Sequence, residues 1–301
     1  MNFIDSISRL VGGTENRNHL RHHEDLLTTL LVMAWMVEAR DPYTGGHLWR
    51  VAQFSRLLAT AADLPDADVA RISIGGFLHD LGKISIPDHI LGKKGRLTEE
   101  EYEVIKIHPD VGWRMLAGHP LAGLAEAAVR AHHETPDGGG YPRGLAGDHV
   151  PVDARIVGIC DAFDAMTSTR PYRAGMPIEK ALAIIEENLG RQFDREHGLL
   201  FLALGHSGKL DHIVGHSDAG IPLRECDMCG PTLVLRRNQQ PGDRIYCRAC
   251  TGEYVVQQRQ DGKLVTKATG GKGTPKDLEP EADSELIATV VRESARALLA
   301  I

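Results

Sequence analysis

Two stretches of this chain set metal-binding side chains next to each other, His79-Asp80 and His132-His133. Neutral imidazole and carboxylate are both ligands for divalent cations. Adjacent helical positions point about 100° apart, so two neighbouring polar residues make joint sense when both reach a common centre. His47, His108 and Asp161 are further candidates at or near the ends of predicted helices, which brings the set to five imidazoles and two carboxylates. That is enough to hold two divalent cations if one carboxylate bridges. Mixed nitrogen and oxygen donors suit Fe, Mn, Zn or Ni and do not favour Mg or Ca. Two cations about 3.5–4 Å apart suit in-line displacement at phosphorus, because they lower the pKa of water and neutralise charge on the non-bridging oxygens. The residues alone therefore point to a phosphohydrolase.

The cysteines form a second constellation. Four of the five make two Cys-x-x-Cys pairs, Cys226/Cys229 and Cys247/Cys250, with 17 residues between the pairs. That spacing predicts a four-cysteine zinc site, with a redox dithiol or disulfides as the alternatives. A closed tetrahedral thiolate site leaves no position open for substrate, so the zinc is expected to be structural. Cys160, beside Asp161, reads as a small buried hydrophobe rather than a ligand. Arg236, Arg237, Arg244 and Arg248 leave a local basic face near the cysteines, which reads as a protein-contact or regulatory surface.

These residues need a scaffold of helices. The chain has 301 residues, 42% hydrophobic and 25% charged, with only 5% aromatic, so its core must be largely aliphatic. Leu26, Leu27, Leu30, Leu31, Ala34 and Val37 follow helical spacing from Glu24, and Asp41-Pro42-Tyr43-Thr44-Gly45-Gly46 ends that helix. Further helices are predicted over 47–62, from Pro65-Asp66 through His79-Asp80, from the capping box Thr98-Glu99-Glu100-Glu101 towards Met115, over 121–133, over 152–167, from Pro177, and over 194–204. No strand alternation is visible before residue 222. The expected architecture is an all-α block over 24–206, preceded by an irregular N-terminal arm over 1–23 with Gly12-Gly13 as a breaker. A linker over 207–222 leads to a small β-rich zinc ribbon over 223–262, with strands over 232–236, 244–246 and 254–258. A flexible linker over 263–283 and a C-terminal amphipathic helix over 284–301 follow.

The motifs together resemble the HD-GYP family of cyclic-di-GMP phosphodiesterases, which belongs to the HD superfamily. The resemblance rests on His79-Asp80-Leu81-Gly82-Lys83, His132-His133-Glu134, Asp137-Gly138-Gly139-Gly140-Tyr141-Pro142 and the run from Asp161 to Arg173. Asp41 to His47, Ile86-Pro87-Asp88 and His108-Pro109 match as well. It covers about residues 24–206 and implies an HD-domain helical bundle. It further implies that His47, His79, Asp80 and Asp161 hold one metal, and that Asp80 bridges to a second completed by His108, His132 and His133. Lys83 would reach the substrate phosphate or the attacking water. Arg170 and Arg173 would hold phosphate or guanine edges, Tyr141 would contact ligand, and Asp41 would be a secondary polar contact. Some members carry a Glu four residues before the first ligand histidine and take a third metal; Tyr43 stands there in this chain, which favours two.

The implied activity is hydrolysis of cyclic-di-GMP to linear pGpG, with GMP as a further product. The metals would be Fe or Mn ahead of Zn or Ni, beside one structural zinc in the ribbon. Two other classes compete: a cyclic-di-GMP receptor without turnover, and an HD hydrolase of another cyclic dinucleotide such as cyclic GMP-AMP. The net charge of −7 argues against a nucleic-acid coat or an anionic-membrane binder. No apolar run approaches the ~20 residues that span a bilayer. The expected location is cytoplasmic, with the ribbon or the C-terminal helix available to a protein partner or a second copy.

Overall fold

The aliphatic periodicities resolve into a layered set of helices in a computed structural model, which describes residues 3–41, 44–93, 95–169, 174–230 and 232–299. The order is α1 (Phe3–Glu38), α2 (His47–Ala61), α3 (Asp66–Leu78), α4 (Asp88–Leu91), α5 (Glu99–Ile105), α6 (His108–Leu116), α7 (Glu126–Ala131), α8 (Val152–Thr167), α9 (Ile178–Glu187) and α10 (Arg195–His206). Helix α3 lies at the centre, with α2, α7, α8 and α1 packed around it. Ile72, Ile74, Phe77 and Leu78 on α3 are buried. Three of the six phenylalanines, Phe54, Phe163 and Phe201, meet edge to face, with centroids 5.0–6.3 Å apart, and tie α2, α8 and α10 together.

Beyond α10 the chain turns to strands. Short antiparallel pairs β1 (His216–Asp218) with β2 (Ile221–Pro222) and β3 (Arg224–Glu225) with β4 (Thr232–Leu233) lead into the sheet β5 (Arg244–Tyr246), β6 (Gly252–Gln258) and β7 (Leu264–Lys272), ordered β5-β6-β7. Cys226, Leu233, Leu235, Ile245, Cys247, Tyr254 and Val256 form a small core of their own. Helix α11 (Ser284–Leu299) then returns to the helical block and packs on α1 and α3. Its Leu286, Ile287, Val290, Val291 and Ala295 are buried there. Each large aliphatic side chain so buried contributes about 1.5–3 kcal/mol, so the apolar stripe read from the sequence is used within the chain.

Several boundaries differ from the sequence expectation. Residues expected as an irregular arm lie in α1, which begins at Phe3 and runs through Gly12-Gly13; a helical Gly costs about 1 kcal/mol against Ala, a penalty rather than a stop. The helix opened by the Thr98 capping box ends at Ile105, and α6 starts afresh at His108. The stretch over 207–222 is not a free linker, because Leu210 and Ile213 are buried in the helical core and β1 forms before residue 222. The stretch over 263–283 is not a flexible linker either. It carries β7, paired with β6 from Gln258↔Leu264 to Gly252↔Lys272. Asp261-Gly262, with Gly262 at φ 81°, is a hairpin signal ahead of that strand. Among the described residues, no helix is long and apolar enough to cross a membrane.

Candidate metal centre

Four helix termini deliver the imidazoles. His47 is the first residue of α2, His79 follows α3, His108 opens α6, and His132-His133 follow α7. Asp80 leads into a 3-10 turn, Leu81–Ser85, that lies against the start of α6. Gly82 allows that approach, since a Cβ there would stand 1.8 Å from the His108 carbonyl oxygen. Asp161 differs from the expectation of a helix-end ligand: it sits in the middle of α8.

The seven candidate ligands converge. Nε2 of His47 and of His79 lie 3.5 and 3.3 Å from Asp80 Oδ2, and 3.4 and 3.7 Å from Asp161 Oδ1. The other Asp80 oxygen, Oδ1, faces His108 Nε2 at 3.5 Å. His108 Nε2 lies 3.1 Å from His132 Nε2. Ligand atoms of His47, His79 and Asp80 lie within 4.8 Å of one another, and so do those of His108, His132 and His133. Asp80 thus presents one oxygen to each half of the cluster.

Backbone carbonyls set the imidazole tautomers. The Nδ1 atoms of His79, His108 and His132 lie 2.7, 2.8 and 2.9 Å from the carbonyls of Gly76, Ile105 and Ala128. A carbonyl only accepts, so each Nδ1 carries a proton, and each ring turns its Nε2 inward, with a lone pair there when the ring is neutral. His47 Nδ1 is 2.7 Å from Asp164 Oδ2, the carboxylate–histidine pairing that orients metal-bound imidazoles. His47 Nε2, His79 Nε2 and Asp80 Oδ1 are buried without a hydrogen-bond partner. Buried polar atoms are ordinarily paired; these three point into the cluster, and their donor types fit a pair of divalent transition metals.

Electrostatically the halves differ. Burial lowers His133 to about 3 and His108 to about 4, and lowers His132 well below the usual range, so these rings are neutral at pH 7. Burial acts the same way on His79 and His47, but the carboxylates outweigh it: Asp80 and Asp161 raise His79 to about 10, and Asp164 and Asp80 raise His47. Burial raises Asp80, yet Lys83 and His79 hold its carboxyl well below the usual range.

The remaining candidates sit at the rim. Lys83 Nζ is 2.5 Å from Asp80 Oδ2. Asp41 lines a small cavity with His47, Asp80 and Lys83. The Tyr141 ring stacks on His133, centroids 4.6 Å apart at 25°. A larger cavity of about 340 Å³ adjoins the cluster and is lined by His132, His133, Asp161, Met166, Gln192 and Phe193, among others. The roles read for Tyr43, Arg170 and Arg173 fall on residues outside those described. Sequence reasoning passed over Asp164, Arg50 and Glu134. The Glu134 carboxylate accepts the N–H groups of Arg143 (2.7 Å) and Leu145 (2.8 Å) and so fastens the loop after His133. The available signal for Asp164 and Arg50 was spacing: Asp161/Asp164 and His47/Arg50 are i,i+3 pairs, and such pairs share a helix face.

In the small sheet unit the four cysteine sulfurs also converge. Cys226–Cys229, Cys226–Cys250 and Cys229–Cys247 Sγ separations are 3.6, 3.6 and 3.5 Å. Zn–S bonds of about 2.3 Å in a tetrahedron place sulfurs about 3.8 Å apart, and a covalent disulfide would need about 2.05 Å. Burial pushes the Cys226 thiol up, but the Tyr254 hydroxyl, 3.2 Å away, and knuckle N–H groups bring it down to about 6.

A family model described as "HD domain" matches residues 31–197. The chain is 42% identical over 168 residues to "Cyclic di-GMP phosphodiesterase response regulator RpfG" of Xanthomonas campestris pv. campestris, covering 55% of this chain and 44% of that protein. It is 44% identical over 162 residues to "3'3'-cGAMP-specific phosphodiesterase 3" of Vibrio cholerae, covering 54% and 35%. It is 40% identical over 185 residues to "Cyclic di-GMP phosphodiesterase" of Thermotoga maritima, covering 60% and 50%. The chain therefore spans half or less of the length of these curated relatives.

Proposed function

The chain belongs to the HD domain family, and we propose that its histidine–aspartate cluster, of the HD-GYP type, holds two divalent transition metals and hydrolyses a cyclic dinucleotide, with cyclic-di-GMP the substrate and linear pGpG the first product. The observation that carries this reading is Asp80, whose two oxygens face two separate imidazole sets at 3.3–3.5 Å. His47, His79, Asp80 and Asp161 would hold one ion, and Asp80, His108, His132 and His133 the other. Bound there, the pair would supply Lewis acidity and lower the pKa of water. Mixed nitrogen and oxygen donors accept Fe or Mn, the metals to which the HD-GYP resemblance points. Lys83 contributes a cation at the mouth of the cluster, where its ammonium can turn from Asp80 to a phosphate oxygen. Asp41 lies beside it as a further polar contact. Tyr141, stacked on His133, fixes that ring and offers a face to a base. The adjoining cavity has the size of small-molecule sites, about 300–1,000 Å³. The four cysteines hold one structural zinc, and the ribbon they organise leaves a surface for a protein partner.

Complete donor sets in both halves favour turnover over a pure receptor, which has no need of two metals. Names among the relatives divide between cyclic-di-GMP and 3'3'-cGAMP, so both belong in one assay. Metal analysis of anaerobically purified protein, with turnover of the two dinucleotides on the same sample, tests the reading. Two Fe or Mn per chain with pGpG release supports it; tight cyclic-di-GMP binding without product would replace it with the receptor.

A further inference from the structure

Arg50 lies one turn after His47 on α2 and is 1% exposed. Its Nε and Nη2 donate to the two carboxylate oxygens of Asp164 at 2.5 and 3.0 Å, and Nη2 also reaches Ser168 Oγ at 3.1 Å. Asp164 in turn faces His47 Nδ1. The remaining nitrogen, Nη1, donates to two carbonyls, Gly45 at 3.0 Å and His216 at 2.8 Å. His216 belongs to β1, beyond the stretch matched by the family model.

That strand is held by the cysteine unit. Asp218, 5% exposed, accepts from Arg237 Nε at 2.5 Å and Nη2 at 2.9 Å. Ser217 fits against Gly46, where a Cβ would stand 2.6 Å from the Ser217 Cα. Two more contacts fasten the unit to the same end of the helical block: Arg248 donates to the Ala39 carbonyl, and Thr169 Oγ1 donates to Glu225 at 3.1 Å.

We infer that Arg50 is a positioning residue for the His47 half of the cluster, and that the cysteine unit braces it through the Arg237–Asp218 pair and the His216 carbonyl. A buried guanidinium that loses an acceptor must move or stay unpaired. Movement carries Asp164 with it, and Asp164 sets the direction of the His47 ring. The His108 half has no such connection among the described contacts: carbonyls of Ile105 and Ala128 fix His108 and His132, and Tyr141 stacks on His133. The brace therefore predicts an asymmetric dependence, in which damage far from the cluster weakens one half-site and spares the other. Loss of a partner behind a metal ligand costs about 10–100-fold in affinity, and a brace acting through a carbonyl belongs at the lower end.

The inference rests on the metal-binding reading, and its test separates the two. The 301-residue chain, with the ribbon zinc left in place, is titrated with Mn²⁺, a cation that thiolates bind poorly, while free Mn²⁺ is followed by electron paramagnetic resonance. The parent should take up two Mn²⁺. R237A and D218N should each lose about tenfold at one site and keep the other, the retained site showing that the chain is folded. R50A should lose more, and R50K should recover part of the loss. In an H108A background, which leaves the His47 half, R237A should still weaken binding; in an H47A background it should not. A parent that takes up no Mn²⁺ overturns the metal reading and the brace together. A parent that takes up two, with R237A and D218N binding both at parental affinity or losing both equally, overturns the brace alone.

Discussion

Replacing Asp80 by Asn tests the metal bridge through metal content and turnover. Asp80 Oδ2 lies 3.5 and 3.3 Å from the Nε2 atoms of His47 and His79, Oδ1 lies 3.5 Å from His108 Nε2, and Oδ1 has no hydrogen-bond partner in the fold. An amide of the same shape removes the charge that faces both cations of the metal-free fold, the Lys83 ammonium and the His79 ring that Asp80 and Asp161 raise to about 10. Without metal at pH 7 the variant should therefore lose about 3–5 kcal/mol, the cost of removing one partner of a buried ion pair. That loss says nothing of metal, which is read separately: the two metal cations would lose their shared ligand. Removing even a partner behind a ligand weakens metal binding about 10–100-fold, and loss of a bridging charge should exceed that for both ions. Turnover should then fall at least about 10³-fold, some 4 kcal/mol in the barrier. Metal analysis, denaturant melts of the chelated protein and cyclic-di-GMP hydrolysis read the three consequences. An Asp80→Asn chain that keeps two metals and parental turnover would refute the bridge.

Other outcomes follow from the same geometry. His133 and His108 are held down at about 3 and 4 in the fold, chiefly by burial, against about 6.5 in the unfolded chain. The unfolded state therefore binds more protons below about pH 6.5, and stability of the metal-free protein falls as pH drops from there towards 3. His79 has the opposite sign: raised to about 10 by Asp80 and Asp161 over the opposing effect of burial, its contribution is full below about pH 6.5 and is lost as pH rises towards 10. Thermal melts of chelated protein should peak near pH 6–7; a midpoint that keeps rising into acid or alkali would contradict these assignments. Cys226→Ser with Cys229→Ser should release about one zinc and unfold the small sheet unit, as such units depend on metal to fold; zinc analysis with amide exchange over 223–260 reads both. Gly82→Ala should cost about 3 kcal/mol or more, because its Cβ would meet the His108 carbonyl at 1.8 Å, and should reduce metal uptake in the His108 half; an unchanged melting midpoint would mean the turn yields easily.

The candidate ligands were legible because their chemistry is local. His79-Asp80, His132-His133 and the paired Cys-x-x-Cys knuckles announce themselves by residue type and spacing, and the aliphatic periodicities placed most of them at helix ends. The Thr98 capping box was equally legible, with Glu101 N–H donating to Thr98 Oγ1 at 3.2 Å and Thr98 N–H to Glu101 Oε2 at 2.7 Å. Less visible were elements whose stability comes from distant partners. β7 is rich in Gly, Lys and Thr, and only pairing with β6 makes it a strand; residues 207–222 look polar, and Leu210 and Ile213 order them by burial in a core built elsewhere.

By itself, the sequence determined that this chain carries an all-α block with donors for two cations and a separate four-cysteine unit, because those facts depend on side-chain chemistry and short-range period. Tertiary structure decided how the donors are used. The two oxygens of Asp80 face different imidazole sets because the turn at Gly82 lies close against the start of α6, which carries His108. The inward-facing Nε2 atoms of His79, His108 and His132 depend on carbonyls three or four residues earlier meeting each Nδ1 in the folded helix ends. The join between Arg50 and the His216 carbonyl links residues 166 positions apart. Contacts of that range come from packing, which no local pattern encodes.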